Sequence, residues 1–256
     1  MWEKHQAKHP AGLLTGRKPF DPARPSLLLV HGSGGSAEAF LPQLSGLSGE
    51  VNLAAIDLPG HRQSPGPGRD SVEDYAAWLG DFIAAGPLRP VILGHSLGGA
   101  VCQMLALTRP HLIRGLVLAS SGCRLKVAPA ILEGLAGPDA SATLRLIVQF
   151  AHAPGCDART LELGVQQLSA TPVPVILGDF QACNGFNVCQ RLGEINLPAW
   201  CLVGDQDQLT PLKYSQHIVE NLPGAGLTII EGAGHTAHLE RPAAFNEALL
   251  DFMGRF

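Results

Sequence analysis

The segment Val91-Ile92-Leu93-Gly94-His95-Ser96-Leu97-Gly98-Gly99-Ala100, "VILGHSLGGA", places a strand-like apolar run directly before three glycines and one serine. Its centre matches G-x-S-x-G, a pattern that requires a sharp turn from a strand into a helix. Glycines are needed two residues on either side of the serine because a Cβ there would collide with the returning chain. The following residues, "LGGAVCQMLALT", have an apolar helical pattern. This context predicts a nucleophilic Ser96 rather than an incidental serine in a glycine-rich turn.

Short apolar runs alternate with longer helical patterns on both sides of this turn. Such alternation predicts a mostly parallel sheet with helices on both faces. Strands are predicted at Ser26–His31, Val51–Asp57, Pro90–Gly94, Gly115–Ser120, Pro198–Val203 and Gly226–Glu231, and helices at Ala37–Leu47, Ser71–Ala85, Leu97–Arg109, Pro211–Leu222 and Glu240–Phe256.

The alternation stops between residues 122 and 191, where helical patterns such as "SATLRLIVQFAHA" occur without a convincing strand. We interpret 122–191 as a mostly helical insertion over one edge of the sheet. The predicted organisation is therefore a core formed by 1–121 and 192–256, interrupted by this insertion.

Composition narrows the function classes. Of the 256 residues, 46% are hydrophobic and 16% are charged, and the charged share is below the roughly 25% typical of soluble domains. The net charge is −4 and no basic block is present, which excludes nucleic acid as an expected partner. No apolar run reaches the ~18 residues of a membrane span, and no signal peptide can be recognised. We expect a cytoplasmic protein that acts on a small molecule. The sequence leaves its oligomeric state open.

The six cysteines, at positions 102, 123, 156, 183, 189 and 201, form no C-x-x-C pair. In a chain without an export signal, the expectation is six reduced and mostly buried thiols. Their spacing does not suit tetrahedral zinc, so no metal site is predicted.

A serine hydroxyl needs a base, and the base needs a carboxylate. His235 follows the last predicted strand, at the carboxyl end where open α/β sheets carry their chemistry. It is preferred to His238, which is expected to face solvent or cap a helix. Asp207 is the preferred acid because it lies deep in the loop "LVGDQDQLTP". Asp205 is the alternative and could instead organise the turn.

Two backbone N–H groups are expected to stabilise the negative oxygen that forms on attack. Leu97 supplies one directly after the nucleophile. Ser33, in the glycine-rich "HGSGGS", is predicted to supply the other, with Gly34 as its close rival. A phosphate-binding loop is the alternative for this segment, but it lacks the lysine of a P-loop and the G-x-G-x-x-G spacing.

With these motifs in order, the chain resembles the α/β-hydrolase superfamily of serine hydrolases. The resemblance rests on "LLLVHGSGGS", "AAIDLPGHRQS", "GHSLGG", "LVGDQDQLTP" and "GAGHTAHLERP". It implies an eight-stranded, mostly parallel sheet with the insertion as a cap, and it implies the same Ser96, Asp207 and His235 roles. Arg62 stands where the family commonly has glycine, at a position that belongs to a structural turn, so this departure does not put catalysis in doubt. The segment "GDFQACNGFNV" also resembles esterases and enol-lactonase-like members.

The cap is expected to wall the substrate pocket. Phe150, Phe180 and Phe186 are the candidate substrate-binding residues, although each could instead pack the insertion onto the core. Cys183 and Cys189 are expected to be packing residues. His152 and Asp179 are expected at the surface or as helix caps.

These observations favour a serine hydrolase that cleaves an ester, thioester or lactone through an acyl-enzyme, without a metal or organic cofactor. Hydrolysis of a carbon–carbon bond and perhydrolysis are alternatives because both can use the same triad. A ligand-binding receptor that has lost turnover is the alternative from another class.

Overall fold

A seven-stranded sheet forms the centre of the molecule in a computed structural model that describes residues 1–256. The strand order is β1-β3-β2-β4-β5-β6-β7, with β1 antiparallel to β3 and all other pairs parallel. The strands are β1 (Leu13–Thr15), β2 (Ser26–Val30), β3 (Asn52–Ile56), β4 (Val91–His95), β5 (Gly115–Ala119), β6 (Ala199–Gly204) and β7 (Gly226–Ile230).

Eleven α-helices accompany the sheet. They are α1 (Glu3–Gln6), α2 (Leu41–Gly46), α3 (Val72–Ala84), α4 (Leu97–Thr108), α5 (Pro129–Ala136), α6 (Ser141–Ala151), α7 (Ala158–Ser169), α8 (Val173–Gly185), α9 (Leu212–Asn221), α10 (Ala237–Glu240) and α11 (Pro242–Met253). Short 3₁₀ turns occupy Ala37–Phe40, Pro110–Leu112 and Cys189–Glu194. No helix combines the length and the apolar character needed to cross a bilayer.

Both faces of the sheet are buried, which explains the near-continuous apolar strands. Successive side chains of a strand point to opposite faces. In β4, Ile92 belongs to one apolar cluster while Val91 and Leu93 belong to the other. The central strands therefore hold a core on each side, as their sequences predict.

The predicted order of strands is confirmed, with two differences. All six predicted strands are present and their ends agree to one residue. The resemblance implied eight strands, but the sheet has seven. The strand β1 is not predicted from the sequence, because three residues at a sheet edge are too few for a periodic pattern.

The helices α5–α8, here called the cap helices, occupy the region between β5 and β6. They share a small apolar cluster of their own: Leu135, Ala140, Leu144, Val148, Leu168 and Ile176. An isolated bridge between Arg124 and Asn187 joins the two chain segments that lead into and out of them. The exact domain limits at 122 and 191 stay a prediction.

The expectation of six free thiols is wrong. Cys123 and Cys189 form a disulfide across 66 residues of chain, while Cys102, Cys156, Cys183 and Cys201 are free. The bond joins the same two segments as the Arg124–Asn187 bridge. It therefore fastens the base of the cap helices.

Candidate active site

Ser96 lies in a strained turn between β4 and α4. Its backbone has φ 52° and ψ −117°, in the left-handed half of the map where an L-residue pays a steric cost. A Cβ on Gly94 would overlap the Gly98 carbonyl, and one on Gly98 would overlap the Val30 carbonyl. Ser121 Oγ also donates to the Ser96 carbonyl at 2.8 Å. The glycines thus permit, and these contacts fix, the turn that the sequence predicts.

Asp207 and His235 meet at the carboxyl ends of β6 and β7. His235 Nδ1 lies 3.0 Å from Asp207 Oδ2, and both side chains are buried. Because a carboxylate only accepts, Nδ1 carries the proton and Nε2 is left as the basic nitrogen. Asp205, the rival acid, is exposed and accepts only from the Ala233 N–H, at 3.3 Å. Asp207 is therefore the carboxylate that contacts the histidine.

The Asp207 carboxylate is strongly stabilised as an anion. Its Oδ1 accepts from the Leu209 and Thr210 N–H groups, and its Oδ2 accepts from Thr210 Oγ1 at 2.8 Å. Burial alone would raise the pKa of this carboxyl, but His235 and the Thr210 hydrogen bonds outweigh burial and lower the pKa to about 2. The carboxylate stays charged throughout the range in which imidazole titrates.

Two further histidines pack beside His235. His95 Nε2 donates to the His235 carbonyl at 3.0 Å, and its ring lies 4.8 Å from the His235 ring. Burial and the neighbouring His235 lower the pKa of His95 to about 3, so it is a neutral donor. His238, which we expected at the surface, is instead buried against His95 and Phe40 with neither ring nitrogen hydrogen-bonded. That expectation is wrong.

The loop after β2 lies next to Ser96. A Cβ on Gly32 would lie 2.9 Å from His95 Nδ1 and 3.1 Å from the Ser96 Cβ, so glycine permits this close approach. The Gly34 N–H donates to Asp179 Oδ2 at 2.7 Å. The Ser33 N–H has no partner in the protein, and the Leu97 N–H opens a helix and so lacks an intrahelical acceptor. Of the two candidates in this loop, Ser33 is the one with a free donor.

A cavity of about 700 Å³ opens over these residues, and its walls include Ser96 and His235. Phe150 and Phe180 line it, as do the buried Cys183 and His152. Four of the six exposed large apolar side chains of the protein lie on its wall: Leu146, Phe150, Leu163 and Leu209. Their exposure is therefore concentrated at one mouth, which suits an apolar ligand.

Two expectations for the insertion are wrong, and a third holds in part. Phe186 is 2% exposed and packs in the core instead of lining the cavity. His152 is buried and so is not a surface residue, but it caps α6, the other role expected for it, with Nδ1 donating to the Val148 carbonyl. Asp179 is fully buried and bonded to core groups. The sequence pattern could not show this because the partners of Asp179 are more than 100 residues away.

Thr210 and Glu240 also contact the site, and neither role is predicted from the sequence. Thr210 Oγ1 bonds Asp207 and lies 3.2 Å from His235 Nδ1. Glu240 accepts from the Gly234 N–H and from the Ala153 N–H at the end of the cap helix α6. Thr210 had a signal, because it stands three residues after an aspartate where side-chain caps are common. Glu240 had none.

Comparison with known proteins identifies the family to which this chain is similar. A model of the Alpha/beta hydrolase family matches residues 27–248. A pimeloyl-[acyl-carrier protein] methyl ester esterase of Neisseria meningitidis is 29% identical over 252 residues, which cover 93% of this chain and 96% of that protein. A putative carbamate hydrolase of Stutzerimonas stutzeri is 28% identical over 247 residues, with 91% and 93% covered.

Solved structures agree. A thermophilic esterase superposes with a TM-score of 0.84 at 33% identity, covering 96% of this chain and 93% of its own. The enol-lactonase from Burkholderia xenovorans LB400 has a TM-score of 0.85 at 19% identity, covering 97% and 98%, and so supports the fold alone. The matched span and the shared architecture show that this chain belongs to the alpha/beta hydrolase family.

Proposed function

We propose that this protein is a serine hydrolase that cleaves carboxylic esters with an apolar acyl group. The observation that carries the proposal is that Ser96, on its strained turn, faces the same cavity as a histidine held by the Asp207 carboxylate. The esterase and carbamate hydrolase names of its relatives support transfer of an acyl group to water. The apolar mouth supports an apolar acyl chain.

In this mechanism, His235 Nε2 takes the proton of Ser96 Oγ as the oxygen attacks the ester carbonyl. The Ser33 and Leu97 N–H groups stabilise the resulting oxyanion. Collapse of the tetrahedral intermediate releases the alcohol, which receives the proton from His235, and leaves an acyl-enzyme. His235 then activates water, and a second collapse releases the acid and restores Ser96.

No hydrogen bond joins Ser96 Oγ to His235 in the structure. Such contacts are often long in empty sites and tighten when substrate binds. Every proton in the cycle moves between Ser96, His235, the substrate and the attacking water, so the mechanism uses no cofactor. Asp207 keeps its charge throughout and stabilises the imidazolium.

A series of p-nitrophenyl esters, from acetate through butyrate to octanoate, tests the proposal. We expect kcat/KM to rise with acyl length, because the longer chains cover the apolar wall, and we expect Ser96→Ala to abolish turnover. A lactone and an acyl-thioester of matched acyl length compare the other bonds that a triad can cleave. A protein that binds the esters without turning them over would be a receptor, and the proposal would be wrong.

A cytoplasmic location stays a prediction of the sequence. The Cys123–Cys189 disulfide speaks against it, because such bonds persist mainly in oxidising compartments.

A further inference from the structure

We propose that Asp179 and Thr171 are positioning residues that hold the oxyanion loop, residues 32–35, in its active conformation. Asp179 belongs to cap helix α8, and Thr171 lies between α7 and α8. The nucleophile, base and acid all lie in the core, so the cap helices would complete a site that the core forms only in part. The inference rests on the proposed function, since an oxyanion loop has meaning only for an acyl-transfer enzyme.

Gly34 is held from both sides by these two residues. Its N–H donates to Asp179 Oδ2 at 2.7 Å, and its carbonyl accepts from Thr171 Oγ1 at 2.9 Å. All of these groups are buried. Gly34 has φ 64°, and a Cβ there would overlap Leu168 and lie 3.2 Å from Ile176. The insertion thus fixes both polar groups of this residue and packs against its Cα.

Asp179 itself is anchored by three parts of the core. Besides the Gly34 N–H, it receives the Tyr75 hydroxyl on Oδ1 at 2.6 Å and lies 2.9 Å from His61 Nε2. Tyr75 belongs to α3 and His61 to the loop after β3. The carboxylate is fully buried yet has a donor on each oxygen. The hydrogen bonds of this carboxylate therefore connect α8 to the core.

His61 is a cation in this arrangement. Its Nδ1 faces the Pro59 carbonyl at 3.1 Å and its Nε2 faces the Asp179 carboxylate. Both partners are acceptors, so both ring nitrogens carry protons. Burial acts to lower the pKa of His61, but the Asp179 carboxylate outweighs burial and raises it. The buried contact is therefore an ion pair.

The contacts of Asp179 and Thr171 with Gly34 determine which backbone N–H of the oxyanion loop is free to bind an oxyanion. The Gly34 N–H is occupied, whereas the Ser33 N–H is free. The peptide before Ser33 is held at the Gly32 carbonyl by His31 Nδ1 at 2.8 Å and by the Gly35 N–H at 3.0 Å. The peptide after Ser33 is held by Asp179. With both peptides fixed, the direction of the Ser33 N–H is fixed beside Ser96, as preorganised stabilisation of an oxyanion requires.

These buried contacts also indicate that α8 stays packed against the core and does not open as a lid. Moving α8 away from the core would separate a buried carboxylate from a buried imidazolium, and each would be left unpaired. Access to the cavity must then come from the parts of the cap that do not carry this pair.

Thr171→Val is the first test, because valine keeps the shape of threonine and removes only the hydroxyl donor. Thr171→Ser is the rescue, since it restores that donor. Asp179→Asn leaves one acceptor oxygen for three donors. Asp157→Ala is the matched control, because Asp157 caps α7 through Thr160 and does not touch the loop.

We expect Thr171→Val and Asp179→Asn to lower kcat about 10- to 100-fold with little change in KM, less than the 10²–10³ lost with a direct donor. A trifluoromethyl ketone of the same acyl group, which forms the oxyanion covalently, should bind more weakly by the same factor. Thr171→Ser should recover most of kcat, and Asp157→Ala should leave kcat unchanged. Unchanged kcat and ketone affinity in a folded Thr171→Val protein would overturn the inference.

Hydrogen exchange separates failure of this inference from failure of the proposed function. The Gly34 amide should exchange slowly in the wild type and in Asp157→Ala, and about tenfold or more faster in Asp179→Asn. If the wild type neither cleaves esters nor binds the ketone, the proposed function is wrong. If the Gly34 amide exchanges equally slowly in Asp179→Asn and the wild type, the positioning role is wrong whatever the activity.

Discussion

At the scale of single residues, Asp207 and Asp205 stand two positions apart in one loop but have different surroundings. Asp207 accepts from Leu209, Thr210 and His235, whereas Asp205 accepts only from Ala233 and faces solvent. The carboxylate fixes the tautomer of His235 because its oxygens accept the Nδ1 proton. An amide in its place can donate to Nδ1 and leave the proton on Nε2, where the base is needed.

Asp207→Asn should therefore lower kcat on the best p-nitrophenyl ester by about 10⁴-fold. Asp205→Asn should change kcat by less than about threefold, because only one long backbone contact is altered. Steady-state kinetics of the two folded variants checks this. Equal losses in both variants would show that the two carboxylates share the role.

Site residues could be predicted from the sequence where they belong to a short local motif. Ser96, Asp207 and His235 each follow a strand and stand within short motifs, so their places could be inferred. His238 and Asp179 could not, because the burial of a polar residue depends on partners elsewhere in the chain. Asp179 finds its partners at residues 34, 61 and 75.

At the scale of elements, Phe150 near the middle of the insertion and Phe186 near its end have different surroundings. Phe150 on α6 is 39% exposed and lines the cavity, whereas Phe186, just after α8, is 2% exposed in the core. The sequence could not separate them, because both follow apolar helical patterns. The difference arises from which face of the insertion meets the core.

Phe186→Ala should lower the free energy of unfolding by about 3–5 kcal/mol through loss of buried area and formation of a cavity. It should leave the relative kcat/KM values of the ester series unchanged. Phe150→Ala should change the relative kcat/KM values of the ester series. It should lower the free energy of unfolding by only about 1 kcal/mol or less. Urea unfolding and the ester series measure both effects. A large stability loss in Phe150→Ala would show that the cavity wall is structural.

The disulfide at the base of the cap helices is also not predicted from the sequence. Cys123 and Cys189 are 66 residues apart, and spacing alone gives no pairing. The fold brings them together: the Val188 N–H donates to the Cys123 carbonyl at 2.8 Å, beside the Arg124–Asn187 bridge. Only the tertiary structure shows that these two segments run side by side.

Protein unfolded in guanidinium without a reductant should react as four thiols, those of Cys102, Cys156, Cys183 and Cys201. Opening the bond releases a long loop and should lower the free energy of unfolding by up to about 4 kcal/mol in the chain-entropy account. The double variant Cys123→Ala/Cys189→Ala should be insensitive to reductant. A titre of six thiols without reductant would show that the bond is absent.

At the scale of the whole molecule, buried histidines govern the response to acid. Burial, with the charge of neighbouring histidines, lowers the pKa of His31, His95 and His238 in the native protein. In the unfolded chain they titrate near 6.5. As pH falls below about 6.5, the unfolded state binds protons that the native state does not, so stability decreases. His61 acts oppositely: its raised pKa adds stability below about 6.5 that is lost as pH rises through the folded pKa.

The free energy of unfolding should therefore fall steeply between about pH 6 and pH 4, by about 1.4 kcal/mol per pH unit for each neutral buried histidine. His238→Leu should flatten this slope by one proton, because His238 is fully buried and has no hydrogen-bond partner to lose. Urea unfolding at several pH values gives the slopes. The same slope in His238→Leu as in the wild type would show that His238 is protonated in the native state.

The central claim is that Ser96 is a nucleophile activated by His235 and Asp207. A fluorophosphonate tests it most directly, because the reagent loses fluoride as it forms a bond to an activated serine oxygen. The intact mass should rise by one phosphonyl group, and peptide mapping should place that group on Ser96. Ser96→Ala should gain no mass, and His235→Ala should react orders of magnitude more slowly. An unmodified wild-type protein, or an adduct on any other residue, would contradict the claim.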